Sequence, residues 1–194
     1  MDYERRTYPT TEIELREGDA NEQVGEPAGL KGRVTPFNVL SRDLGGFREK
    51  IAPGAFEGAL KRSDVRGLFN HNPDNILARQ SAGTLVLEES EKGLEFDMDL
   101  PDTQLAHDVV ENVRAKNITG NSFSFVVEKD EWDYSDKKMA IRTVVEVREV
   151  FDVGPVTFPA YERGTKISAR SLEMAQAAPD NRNREARQRL AESE

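Results

Sequence analysis

Between residues 13 and 158 the chain is a succession of short apolar segments broken by turn residues, and only one segment carries the period of a long helix. This rhythm limits the fold more than any other feature. Ile13 and Leu15 alternate with Glu12, Glu14 and Arg16, the period of two of a half-buried strand. Further strands are expected at Lys31–Leu40, Phe47–Ile51, Val65–Phe69, Ile76–Arg79, Thr84–Glu88, Leu94–Leu100, Ser122–Glu128 and Ala140–Val150, with Phe151–Phe158 continuing the last. Pro36 requires its strand to be an edge or to carry a bulge, because it has no N–H to give a ladder. Ser81-Ala82-Gly83 and Glu91-Lys92-Gly93 read as hairpin turns. The stretch Asp19–Leu30, rich in Gly, Glu and Pro, reads as a loop. Pro53 opens a short helix through Ala55–Arg62. The long helix runs from Thr103 to about Lys116, capped by Asp102 or Thr103. Its Leu105, Ala106, Val109, Val110 and Val113 share one face. Many short strands with few helices predict a mainly β fold with flanking helices, as a barrel or a sandwich.

The apolar residues cluster between about Ile13 and Ile167, and the ends are polar. The expected organisation is a loose N-terminal arm over residues 1–10, one domain over 11–170, and a polar C-terminal tail over 171–194 that is helical from Asn183 or is removed by self-cleavage. A chain of 194 residues is long enough for one such core with tails.

Charge and cysteine content narrow the function. The formal net charge is −9 and no dense Lys/Arg run occurs. Phosphate contacts need such a basic patch, so nucleic acid is not expected as a partner. With no cysteine, disulfides, thiolate zinc sites and a cysteine nucleophile are all excluded. Two histidines without cysteine do not make a zinc site, and no phosphate-cradling glycine loop is present, so neither a metal nor a cofactor is expected. The N-terminus has no apolar leader and no run is long enough for a membrane span, which predicts a cytoplasmic protein with no membrane partner.

Two histidines make the search for chemistry short. His107 falls on the polar side of the long helix and is expected to face solvent. His71 follows an apolar strand and stands in Asn70-His71-Asn72-Pro73, a turn that could present an imidazole as a general base. Ser122 stands in Gly120-Asn121-Ser122-Phe123-Ser124-Phe125. The period of two places Ser122 and Ser124 on one face and the two phenylalanines on the other. A hydroxyl there is a nucleophile only if an imidazole lies beside it. Taken singly, each residue also fits ordinary turn chemistry. A third group must orient the imidazole, and the candidates are Glu146, Glu149 and Asp152. Asp152 lies between Phe151 and Val153, where a carboxylate is costly without a partner.

Together these segments resemble a known family. Its motifs are matched by Ile51-Ala52-Pro53-Gly54-Ala55-Phe56, Phe69-Asn70-His71-Asn72-Pro73, Ser81-Ala82-Gly83, Leu100-Pro101-Asp102-Thr103, Thr119-Gly120-Asn121-Ser122-Phe123 and Val156-Thr157-Phe158-Pro159-Ala160-Tyr161, in that order, within Gly32 to Tyr161. The chain is similar to the prohead maturation proteases of HK97-like phages. The resemblance implies a β-barrel flanked by helices, like that of herpesvirus assemblins. It implies Ser122 as nucleophile, His71 as base and Asp152 as the third residue. The implied substrates are the scaffolding segment of the major capsid protein and the protease itself, within the prohead in the host cytoplasm, with an assemblin-like homodimer by analogy. The sequence departs from the family pattern at Ser124 (often Gly), Asp152 (usually Glu) and Gly154 (usually Ser). The turn at Gly120–Phe123 is the candidate source of oxyanion donors.

Two other readings fit the same fold. One is a non-catalytic assembly or scaffold-binding protein, which predicts that His71 and Ser122 stand apart or are packed in the core. The other is an esterase using the same pair. Catalysis requires the Ser122 hydroxyl within about 4 Å of a His71 nitrogen.

Overall fold

The computed structural model describes residues 3–7, 13–17, 27–136 and 139–158. In chain order the elements are β1 (Glu4–Arg6), β2 (Ile13–Glu17), β3 (Pro27–Pro36), β4 (Phe47–Ile51), α1 (Glu57–Arg62), β5 (Arg66–Leu68), β6 (Ile76–Arg79), β7 (Leu85–Ser90), β8 (Gly93–Asp99), α2 (Gln104–Arg114), β9 (Gly120–Asp133) and β10 (Ala140–Val156). Among the described residues the fold is mainly β with two flanking α-helices.

The described strands form two sheets. One has the order β1-β9-β10-β5-β6, with β4 also on β10; the other is β2-β3-β8-β7. Among the described residues, ladder pairs join strands only within each sheet. β10 is the axis of the larger sheet. It runs antiparallel to β9 along one edge. On the other edge it pairs in parallel first with β4 (Ala140–Val144) and then with β5 (Asp152–Val153). Four irregularities between Val144 and Asp152 bend it, so its two halves serve different neighbours. The segment between β4 and β5 fills the gap: Val147 N–H donates to Ala55 O and Ala52 N–H to Val144 O.

The core lies between the sheets. Phe123 and Phe125 stack at 4.7 Å, and the Phe56 ring meets Phe123 edge-on at 5.9 Å. Leu30, Leu94 and Met98 of the smaller sheet and Val109 and Val113 of α2 close the same cluster. Burying each of these phenylalanines contributes roughly 1.5–3 kcal/mol. Because β9 alternates, that burial aims Ser122 and Ser124 to the other face of the sheet.

Several elements differ from expectation. The N-terminal arm is not loose throughout: Glu4–Arg6 pairs antiparallel with β9. β3 starts at Pro27, inside the expected loop, and is an interior strand between β2 and β8. Pro36 is accommodated at its end, past the last β2 pair at Gly32 and after a bulge between Arg33 and Thr35. β9 continues to Asp133 and β10 is unbroken to Val156. α2 matches its expected span within two residues. Thr103 caps it, its hydroxyl accepting from Ala106 N–H at 3.3 Å, and His107 faces solvent beside Asp102 at 2.8 Å. The expected tail over 171–194 lies outside the described residues. No helix among them is long and apolar enough to cross a membrane.

Candidate active site

Three neighbouring strands of the larger sheet each supply one group. β5 ends at Leu68 and the chain turns through Asn70 and His71, both in the left-handed region with φ of 57° and 56°. An asparagine adopts that conformation readily; a histidine does so at a cost of about 1–2 kcal/mol. The turn is therefore held from outside. Asn70 N–H donates to Pro155 O (3.0 Å), its amide donates to Thr157 Oγ1 (3.0 Å), and its side-chain oxygen accepts from Thr157 N–H (2.8 Å). Asn72 closes the loop, accepting from Asp74 N–H at its side chain and from Asn75 N–H at its carbonyl. The imidazole is thereby fixed against the last residues of β10.

β10 carries Asp152 opposite Ser124 of β9, and Gly154 opposite Ser122. Within this frame His71 Nδ1 lies 2.5 Å from Asp152 Oδ1 and His71 Nε2 lies 2.8 Å from Ser122 Oγ. The side chains of His71 and Asp152 are 11% and 9% exposed, so water competes little for their contact. A carboxylate at Nδ1 makes that nitrogen the N–H donor and leaves Nε2 as the acceptor facing the hydroxyl. The separation that a binding-only role predicts for His71 and Ser122 is not seen. Of the three candidate acids, only Asp152 bonds His71: Glu146 is exposed opposite Lys129, and Glu149 stands opposite Val126. Among the described residues no cluster of metal ligands occurs.

A family model described as caudovirus prohead serine protease matches residues 11–178, most of the chain. The chain belongs to the caudovirus prohead serine protease family. No curated relative matches the sequence. A similar solved structure is the capsid assembly protease gp21 of bacteriophage T4, at 14% identity and a TM-score of 0.45, covering 79% of this chain and 98% of that one.

Two features of this family member escape a reading of the residues one at a time. Ser124 is fully buried, and its Oγ lies 3.2 Å from His71 Nδ1, so it shares with Asp152 the nitrogen that sets the tautomer. The alternation along β9 carried that signal, because it puts Ser124 on the face of Ser122. Gly154 is required where it stands: a Cβ there would lie 2.1 Å from Leu68 O, the end of the strand that delivers His71. The expected turn at Gly120–Phe123 is instead the start of β9, paired with β10 from Gly120 onward. The reason is the unbroken apolar alternation through Phe123 and Phe125.

A third feature lay outside the expected domain. Ser122 Oγ donates to the backbone carbonyl of Arg6 at 2.9 Å, and Ser122 is only 2% exposed. The Arg6 side chain belongs to a buried ionic cluster. Arg6 donates to Glu49 (Nε–Oε1 2.8 Å) and also pairs with Glu4. Arg142 donates to Glu4 (2.9 Å), Glu49 (2.9 Å) and Asp130 (2.7 Å). Burial disfavours the Arg142 charge, but Glu49 and Glu4 outweigh it, and its pKa is raised.

Proposed function

We propose that this family member is a serine endopeptidase in which Ser122 is the nucleophile, His71 the general base and Asp152 the residue that orients the imidazole. The observation that carries the reading is the run of contacts from Asp152 Oδ1 through both ring nitrogens of His71 to Ser122 Oγ. His71 Nε2 takes the hydroxyl proton as Ser122 Oγ bonds to the carbonyl carbon of a peptide. The tetrahedral adduct collapses with cleavage of the C–N bond, and His71 returns the proton to the departing amine. Water, activated by the same imidazole, then hydrolyses the ester and restores the serine. Asp152 balances the positive charge that forms on the ring.

The substrates we assign are the scaffolding segment of the major capsid protein and the protease itself, cut inside the assembling prohead in the host. Family membership supports this choice over an esterase. A protease that shares its compartment with few other chains finds its substrate at high local concentration.

The test is co-expression with the cognate capsid protein. The unaltered chain is expected to shorten the capsid protein and itself, seen by intact mass. Ser122→Ala and His71→Ala are expected to leave both at full length. Trimming at the unaltered rate by either variant would refute the assignment.

A further inference from the structure

We infer that the edge of β9 covered by β1 is the peptide-binding subsite of this protease, built for an extended segment with a carboxylate two residues before a guanidinium, and that β1 is its internal occupant. The inference rests on the catalytic reading above and goes beyond it, since that reading needs no particular ligand on β9.

A nucleophile that is 2% exposed cannot meet a peptide bond in another chain while its cover stays in place. Part of that cover is β1, whose Arg6 carbonyl accepts the Ser122 hydroxyl. A hydroxyl has one hydrogen. While it is given to Arg6 O, it is not given to His71 Nε2, 2.8 Å away on the other side, and the nucleophile is not activated.

β1 lies antiparallel on β9 with Arg6 opposite Phe123, so it adds a strand to the sheet beside the nucleophile and brings a backbone carbonyl to it. Addition of an extended peptide to a sheet edge is a general recognition mode: main-chain bonds give affinity and alternate side-chain pockets give specificity.

Alternate residues of β1, Glu4 and Arg6, point inward. Each meets a built partner. Glu49, fully buried on β4, accepts Arg6 through both carboxylate oxygens, at 2.8 and 3.2 Å. Arg142, on β10 directly opposite Glu49, donates to both oxygens of Glu4 at 3.0 and 2.9 Å. The Arg6 guanidinium also lies over the Phe125 ring at 5.8 Å. If β1 leaves, Glu49 and Arg142 remain as a matched acceptor and donor, spaced for an acid and a base two residues apart. The family match begins at residue 11, so β1 is outside the matched part and the pocket that holds it is inside.

The experiment reads the reactivity of Ser122 without needing a natural substrate. A fluorophosphonate probe forms a P–O bond to Ser122 Oγ, releases fluoride and leaves the proton on His71. Four forms are compared: the full chain, the chain starting at residue 8, the full chain with Glu4→Ala and Arg6→Ala together, and a Ser122→Ala control. The double variant removes one charge of each sign, so Arg142 keeps Glu49 and Asp130 and the fold is not left with a lone buried charge. Both β1-disrupted forms are expected to label about tenfold faster than the full chain, as for a site open roughly a tenth of the time. The synthetic peptide of residues 1–7 is expected to slow the shortened chain again, and the same peptide with both alanines is not. Equal labelling of the forms that carry Ser122 and retain the native circular dichroism, with none in the Ser122→Ala control, would overturn the subsite and leave the catalytic reading standing. Absence of labelling in every form would overturn the catalytic reading and the subsite with it.

Discussion

The proposed chemistry turns, at the residue scale, on one imidazole whose two nitrogens meet different partners. Asp152 and Ser124 both meet Nδ1, at 2.5 and 3.2 Å, but only the carboxylate can balance a positive ring. Asp152→Asn therefore offers the wrong hydrogen-bonding group, and kcat is expected to fall by about 10⁴ with little change in KM. Ser124→Ala removes a weak neutral bond and is expected to cost less than about tenfold in kcat and about 1 kcal/mol in stability. A single-turnover assay of both variants on a peptide from the proposed capsid substrate separates the two. If Ser124→Ala were as damaging as Asp152→Asn, the hydroxyl and not the carboxylate would be setting the tautomer. The motif residues around His71 and Ser122 made these two groups legible in the sequence, because their surroundings resembled a family. The choice among Glu146, Glu149 and Asp152 was not settled by the residues themselves, since which acid faces β5 depends on four ladder irregularities in β10. Period-two reading cannot count through a bulge.

Two elements hold the candidate groups in place, one carrying the imidazole and the other covering the hydroxyl. The turn after β5 holds His71 at positive φ, and Asn70 ties it to Pro155 and Thr157. Asn70→Ala deletes both side-chain bonds and the residue type that tolerates the left-handed region. It is expected to lower kcat about 10²-fold by misplacing the ring, with a loss of about 1–3 kcal/mol in a urea melt. The other element is β1. Glu49→Ala leaves Arg6 and Arg142 around an emptied buried site and is expected to destabilise the fold by about 3–5 kcal/mol; Asp130→Ala, at a partly exposed acid, is expected to cost far less. α2 shows what made an element legible: its apolar face, Thr103 cap and His107 exposure follow from local spacing. β1 shows the opposite. Its inward residues are Glu4 and Arg6, and a strand whose buried face is charged carries no hydrophobic alternation. Its partner Glu49 is 43 residues away, so only the folded molecule reveals it.

For the molecule as a whole, the candidate site exists only where β9, β10 and β5 are docked together, since His71 is 51 residues from Ser122 and 81 from Asp152. Local order cannot assemble it, so conditions that loosen the sheets remove activity together with structure. Acid is one such condition, and its sign follows from three carboxylates. The Asp43 carboxyl is held below its ordinary value by the backbone N–H groups of Gly46 and Gly45. That of Asp64 is lowered by Arg79 and then by Ser81. That of Asp133 is lowered by Ser135. In each case the folded state binds its proton less readily than the unfolded chain. The stabilisation is therefore fully present above the ordinary carboxylate value of about 4 and is lost as pH falls through the lowered one. The urea midpoint is expected to be lower at pH 3 than at pH 7. Asp64→Asn is expected to flatten part of that difference, because an amide at this position no longer titrates. A midpoint that rose on acidification, or an Asp64→Asn chain with an unaltered pH profile, would show that these carboxylates do not link folding to protons.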